Sequence, residues 1–299
     1  MTDTLIIGTI GLDTIETPFG KVEEVLGGSG TYASFAASFF SKPALVSIVG
    51  TDFPKHHEAM LIMRGINLSG LQRTGKTFRW EGMYEFDMNE AKTLKTELNS
   101  LLDFKPSLPE EFKDIPYLFL ANVDPDIQLA ILQQMKSRKF TVLDTMNYWI
   151  SSKKEKLLEV IKNVDLLLLN DGEARQLFGT VNLVHAAKQA LALGPQYVII
   201  KKGEHGALLF SDGKHFNAPG YPLEVIKDPT GCGDTFGGSL IGHIARTKDT
   251  SENNIRKAII YGSAIASFNA EGFSLQRLSS LTPEELERRF HEFRTIREF

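Results

Sequence analysis

A chain of 299 residues, 42% of them hydrophobic and 23% charged, carries enough apolar material for one large core, which excludes a disordered or low-complexity protein. Its net charge of -4 supplies no summed positive field to gather a polyanion, so nucleic acid is not an expected partner. The one cysteine, Cys232, excludes an internal disulfide and a cysteine-based zinc cluster, and suits a reducing compartment.

The first apolar run, Leu5 to Ile10, has no basic segment ahead of it and breaks at Gly8, too short for a signal peptide. No stretch reaches bilayer length, so the expectation is a soluble, cytoplasmic protein with no membrane partner. That first run predicts a buried strand delivering Asp13 at its carboxyl end, where ligands bind. Residues 14–26 are turn-rich and predict a small exposed hairpin. From Gly30 a helix of small and aromatic residues is expected, then a second buried strand from Ala44 to Val49 and a helix from His57 to Arg64. Around Gly82, residues 77–87 alternate bulky with polar side chains, as in antiparallel surface strand. Beyond residue 110, apolar strands at 117–121, 140–144, 164–169 and 197–201 alternate with amphipathic helices, which implies a parallel sheet covered on both faces. After residue 234 the chain is helical, and Thr282-Pro283-Glu284-Glu285 opens a last helix by N-cap and first-turn proline. The reading is a single α/β domain over residues 1–299, with lid strands inserted at about 14–26 and 72–100 that pair into one small sheet.

The segment Asp228-Pro229-Thr230-Gly231-Cys232-Gly233-Asp234-Thr235-Phe236 puts glycines, a carboxylate and a helix start together. Small residues let backbone N–H groups converge on an anion, and the helix adds the positive end of its dipole at the same point. Asp234 at the rim either accepts the proton of an attacking hydroxyl or caps the helix; the residues alone leave both readings open. Cys232 has no histidine near it in sequence and reads as a small filler, and the seven histidines show no metal-ligand spacing.

This segment resembles the C-terminal signature of the PfkB/ribokinase family of carbohydrate and nucleoside kinases. Gly27-Gly28-Ser29-Gly30, Asn170-Asp171-Gly172-Glu173 and Lys202-Gly203-Glu204-His205-Gly206-Ala207 are similar to the family's other motifs and follow in the expected order. The resemblance implies a ribokinase-like parallel sheet with helices on both faces and a small β-sheet lid. It implies Asp234 as general base and the amides of Gly231, Cys232 and Gly233 as an anion hole. Asp13, Gly27 and Gly28 are then expected to hold substrate hydroxyls, with Tyr32 and Asn122 also facing the substrate. Asn170, Lys202, Gly203, Gly206 and Gly262 are expected along the nucleotide, with Glu173 reaching magnesium through water. Asp228 and Thr230 match positions that bind a potassium-like cation in some members. Glu173 also has a plain reading as an acidic residue in a helix first turn.

Three departures from the family pattern argue against ribose. Cys232 replaces the usual alanine, Tyr32 stands where ribokinases have an asparagine near the sugar, and Gly262 replaces an asparagine beside the adenine. Asn122 lies where ribokinases send a glutamate to the substrate, and Asp144 and Asn147 end the next strand on the same edge.

Two other patterns compete. Gly70 to Thr77 satisfies the P-loop formula but precedes strand, where a P-loop opens a helix. Gly28-x-Gly30-x-x-Ala33, with Asp52 downstream, mimics a dinucleotide fingerprint, yet the charged run Lys21 to Val25 before it does not suit a central strand. The expected activity is therefore ATP-dependent phosphorylation of a sugar hydroxyl, with a nucleoside kinase, a dehydrogenase and a non-catalytic sugar or nucleoside binder as alternatives. The aromatics Phe78, Trp80, Tyr84 and Phe86 are expected to lie exposed on the lid and to pair two copies into a homodimer.

Overall fold

The computed structural model describes residues 2–298. The chain opens with β1 (Thr4–Ile7), β2 (Gly11–Thr17), β3 (Gly20–Gly27), α1 (Ser29–Ala37), β4 (Pro43–Val49), α2 (Lys55–Met63) and β5 (Asn67–Arg73). Next come β6 (Phe78–Tyr84), β7 (Ala91–Glu97), β8 (Tyr117–Leu120), α3 (Pro125–Gln134), β9 (Phe140–Leu143), α4 (Asn147–Ser152) and α5 (Lys154–Ile161). The chain continues through β10 (Leu166–Asn170), α6 (Asp171–Phe178), α7 (Leu183–Leu191), β11 (Tyr197–Lys201), β12 (Ala207–Ser211) and β13 (Lys214–Ala218). Four helices close it: α8 (Cys232–Thr247), α9 (Glu252–Ala270), α10 (Gln276–Ser280) and α11 (Pro283–Arg297).

Nine strands form one sheet in the order β13-β12-β11-β10-β9-β8-β1-β4-β5. Every pairing from β5 across to β11 is parallel, while β12 and β13 turn back antiparallel at one edge. This hairpin edge is a feature that the alternating pattern upstream does not announce. The two-residue period of a strand divides the core. On β1, Ile6 joins the cluster under α1, α8 and α9, while Leu5 and Ile7 face the cluster under α5, α6 and α7. The strand order reverses at β1, whose neighbours are β4 on one side and β8 on the other. Open α/β sheets bind ligands at the carboxyl ends of strands at such a reversal.

The second sheet has the order β3-β2-β6-β7. It corrects two expectations. Asp13 lies inside β2 of this small sheet, not at the end of a core strand. The large sheet claims β5, so the second lid patch begins at Phe78, because Gly70 to Arg73 pair with Val46 to Val49. The P-loop pattern is thereby dissolved: its glycine sits in a strand, Thr77 is buried with its amide and hydroxyl on Asp52 Oδ1, and β6 follows. The dinucleotide pattern fails for a similar reason, since the strand ahead of its glycines belongs to the lid.

The lid aromatics also differ from expectation. Tyr84 is buried with Ile15 and Phe273, and Trp80 is half-buried against them. Phe78 lies against Gly11, so only Phe86, 96% exposed, stands free. The outer face carries charge instead: Arg79 pairs with Glu24 at 2.7 Å and with Asp52 at 3.0 Å. The edge strand β7 is exposed and bears Lys92 and Lys95, charges that discourage further strand pairing.

Candidate active site

The acceptor side of the site is built at the sheet reversal. Past β1, Thr9 N–H donates to Ser29 Oγ, and Ser29 Oγ–H donates to the carbonyl of Asn122, which follows β8. These bonds tie the ends of β1 and β8 to the first turn of α1, and so place Gly27, Gly28 and Asn122 together. Gly28 has φ of 94°, a left-handed conformation that glycine adopts freely, and a β-carbon there would meet the Thr9 carbonyl at 2.5 Å. Asp13 pairs with Val25, two residues before Gly27 in β3, and its carboxylate lies over Gly27. A β-carbon on Gly27 would lie 1.8 Å from Asp13 Oδ2, so only glycine leaves that carboxylate room. Burial first, and then the charge of Asp228, pushes the Asp13 carboxyl up to about 7.

The turn expected to bind an anion is the start of α8. Its N-cap is Gly231, at φ 75°, and no side chain caps the helix. Asp234 is therefore not spent as a cap, the plain alternative that the sequence left open. A β-carbon on Gly231 would strike the Tyr32 ring at 2.4 Å, so Tyr32 forms the floor beneath this turn. Its hydroxyl is buried without a partner among the described residues, a polar atom that a bound ligand would satisfy. The three amides expected in the anion hole are not equivalent. Cys232 N–H donates to the Pro229 carbonyl at 3.1 Å, which leaves those of Gly231 and Gly233 for an anion. The Cys232 thiol packs against the Ala266 carbonyl, and burial pushes it up to about 12, so it is no nucleophile.

Asp234 sits in a buried group of charges. Burial, then the nearby Asp144 carboxylate, raises its pKa to about 7, against the opposing pull of Lys201. Parallel pairing of β10 with β11 sets Asn170 beside Lys201 at one carboxyl edge. Asn170 and Glu173 form a reciprocal capping box: the Asn170 side chain accepts the Glu173 amide, and Glu173 Oε2 accepts the Asn170 amide, each at 2.7 Å. Glu173 is buried, and desolvation raises it to about 7. Glu173 is thus a first-turn residue that also faces Lys201, Asp144 and Asp234.

Other expected residues fall elsewhere. Lys202 has no ion pair among the described residues; the lysine that meets the carboxylates is its neighbour Lys201, whose Nζ lies 2.6 Å from Asp144 Oδ2. Strand alternation explains the one-residue difference. The sequence shows two adjacent lysines after the apolar run Tyr197 to Ile200 and does not by itself distinguish them. Gly203 and Gly206 keep left-handed conformations at φ 54° and 83°, which shape the loop between β11 and β12. Gly262 does not open toward a nucleotide: it is buried, and a β-carbon would meet Phe236 at 2.9 Å. The partly exposed face of α9 near Cys232 is Ser263 and Ala266. Asp228 is fully buried and clamps the loop, accepting the amides of Thr230 at 2.8 Å and Ser274 at 3.3 Å. Thr230 Oγ1 donates to the Tyr84 hydroxyl at 3.3 Å, a direct contact between lid and anion loop. Asn147 starts α4 on the surface, whereas Asp144 is buried in the site.

The model of the pfkB family of carbohydrate kinases matches residues 13–281. A cytidine kinase from Thermococcus kodakarensis is 29% identical over 258 residues, 84% of this chain and 92% of that protein. The solved structure of a nucleoside kinase from Burkholderia thailandensis in complex with inosine aligns with a TM-score of 0.79 at 19% identity, covering 97% of both chains. An Escherichia coli structure described as a putative ribokinase II with ATP and Mg2+ aligns with a TM-score of 0.77 at 18% identity, covering 98% of this chain and all of that one. The chain belongs to the pfkB family and is a kinase of the ribokinase fold.

Proposed function

We propose that this kinase transfers the terminal phosphate of ATP to a primary hydroxyl of a nucleoside, with Asp234 as the base. The observation that carries the reading is the uncapped start of α8. There a partly exposed carboxylate adjoins two free glycine amides and the tyrosine floor, with Asp13 close enough for its charge and that of Asp234 to interact. In the reaction the acceptor O–H gives its proton to Asp234, its oxygen forms a bond to the terminal phosphorus, and the bond to the bridging oxygen breaks, releasing ADP. The amides of Gly231 and Gly233 stabilise negative charge on the phosphoryl oxygens. Asp13 binds an acceptor hydroxyl, and the lid closing over it keeps water from competing.

The choice of a nucleoside over a simple sugar rests on the cytidine and nucleoside kinases among its relatives and on the aromatic surroundings of the acceptor side. Trp149 Nε1–H donates to Asn122 Oδ1 at 2.9 Å, and the half-buried Trp80 stands opposite Asp13 in the lid, aromatic groups on which a base stacks. Among the described residues no group of three acidic, histidine or cysteine side chains is arranged to hold a metal by itself. Glu173, a single buried carboxylate beside the start of α8, suits magnesium, which takes phosphate oxygens and waters with one or two carboxylates. Glu173, through water, would hold it, and it would supply charge neutralisation at the phosphates. A potassium-like ion at Asp228 and Thr230 has weaker support, because both Asp228 oxygens already accept backbone amides.

The test is ADP release from ATP and magnesium across cytidine, other nucleosides, ribose and fructose, with Asp234→Asn as control. Release stimulated by a nucleoside, reduced at least about a hundredfold in the variant, is the expected result. Stimulation by sugars alone moves the acceptor class, and an active Asp234→Asn removes the base.

A further inference from the structure

The pair of Lys201 and Asp144, whose side chains are 16% and 4% exposed, has entered so far only through its charges beside Asp234. Taking a lysine and a carboxylate out of water costs more than their attraction ordinarily returns, so such a pair is a poor choice for stability alone. Its position gives a reason for it. Lys201 ends β11 and Asp144 follows β9, so both stand on the carboxyl edge of the sheet facing the first turn of α8. Lys201 Nζ is 2.6 Å from Asp144 Oδ2, and 3.2 Å from where a β-carbon on Gly233 would stand. The missing side chain of Gly233 is therefore the space that the ammonium group approaches, next to one of the two free amides. Asp144 is fixed in turn: its Oδ1 accepts the Thr145 amide at 3.0 Å, and its carbonyl accepts Gln128 Nε2 at 3.3 Å. Burial works against the charge on Lys201, but Asp144 and Glu173 outweigh it and hold the group above its ordinary value, so it stays a cation.

We infer that Lys201 is a further catalytic residue, a fixed cation that contacts the phosphoryl group in transit, and that Asp144 is the positioning residue that aims it across Gly233. Lys201 exchanges no proton; it meets the charge that spreads over the phosphoryl oxygens as the bond to ADP lengthens. The lysine is matched to this use, since a compact ammonium on a flexible stem follows a moving oxygen better than a planar guanidinium.

The inference rests on the kinase reading, and wild-type ADP release separates the two. Without turnover in the wild type, the proposed function falls first. With an active wild type, Lys201→Met is expected to lower kcat by on the order of 10²–10³-fold, the usual cost of one such donor, with little change in KM for the acceptor. Lys201→Arg is expected to recover part of that loss. Because Lys201→Met strands a buried carboxylate, the double variant Lys201→Met with Asp144→Asn is measured beside it, checked for a cooperative thermal transition. Calorimetry supplies a readout that a structural role does not move. Both variants are expected to bind ADP like the wild type and to lose at least about tenfold in affinity for ADP with aluminium fluoride, a mimic of the phosphoryl in transit. Wild-type kcat in the folded double variant, or equal losses toward ADP and its fluoride complex, overturns the assignment and leaves the pair a structural one.

Discussion

In its proposed role as base, Asp234 depends on its environment more than on its residue type. An aspartate ordinarily titrates near 3.8, too acidic to draw a proton from an alcohol with much effect, and burial together with Asp144 raises this one to about 7. The sign follows directly: the base works when ionised, so kcat/KM is expected to rise about tenfold per pH unit below 7 and to level off above it. Removing the negative charge of Asp144 relieves part of the upward shift, so in Asp144→Asn the acid limb is expected to move to lower pH. A pH–rate profile of both proteins checks this, and an unmoved limb would show that Asp144 does not act on the base. The motif Asp228 to Phe236 made Asp234 a candidate from sequence alone, because glycines beside a carboxylate at a helix start are legible as chemistry. Lys201 was not legible, since which of two adjacent lysines faces inward is decided by strand alternation against the neighbouring strands.

Among the elements, the contact between α1 and α8 matters most, because α1 begins at the acceptor glycines and α8 at the base. Their backbones approach through glycine: a β-carbon on Gly238 would lie 2.1 Å from the Ala33 carbonyl, and one on Gly242 2.8 Å from that of Ala37. The obstacles are backbone atoms, which cannot swing aside as a side chain does. Gly238→Ala is therefore expected to cost about 1–3 kcal/mol of stability. The same change would widen the gap between acceptor and base, so kcat is expected to fall more than the loss of folded protein explains. Denaturant titration and steady-state rates on one preparation test it, and unchanged stability would refute the close-packing account. The sequence displayed Gly237-Gly238 but not their purpose, which depends on which helix lies opposite.

At the scale of the molecule, the site works against the fold. Asp13, Glu173 and Asp234 each have carboxyls raised to about 7, while in an unfolded chain they ionise near their ordinary values. The folded state then holds protons that the unfolded state releases, so their contribution to stability falls as pH rises from about 4 through 7. His243 has the opposite sign. Burial first, then Arg246, lowers it to about 4, and its ring stacks on Tyr261, so its contribution falls as pH drops from 6.5 toward 4. Asp234→Asn is therefore expected to stabilise the empty enzyme at pH 8, by roughly 1–3 kcal/mol or a few degrees in Tm, and to give no such gain at pH 4. Thermal melts at both pH values decide it; a gain that is equal at both would mean that ionisation is not the cause.

By itself the sequence determined the alternation of strands and helices, the last helix from Thr282, and the glycine turn that opens α8 beside Asp234, because each rests on local periodicity, capping or glycine conformation. Only the tertiary structure decided that Asp13 belongs to the lid, that β5 belongs to the large sheet, that Gly262 serves helix packing, and that the lid aromatics turn inward. Those outcomes depend on which distant segment lies opposite each residue. The pairing of Lys201 with Asp144, 57 positions apart, is of the same kind: it exists because parallel strands end at one edge, where charges separated in sequence must share one small volume.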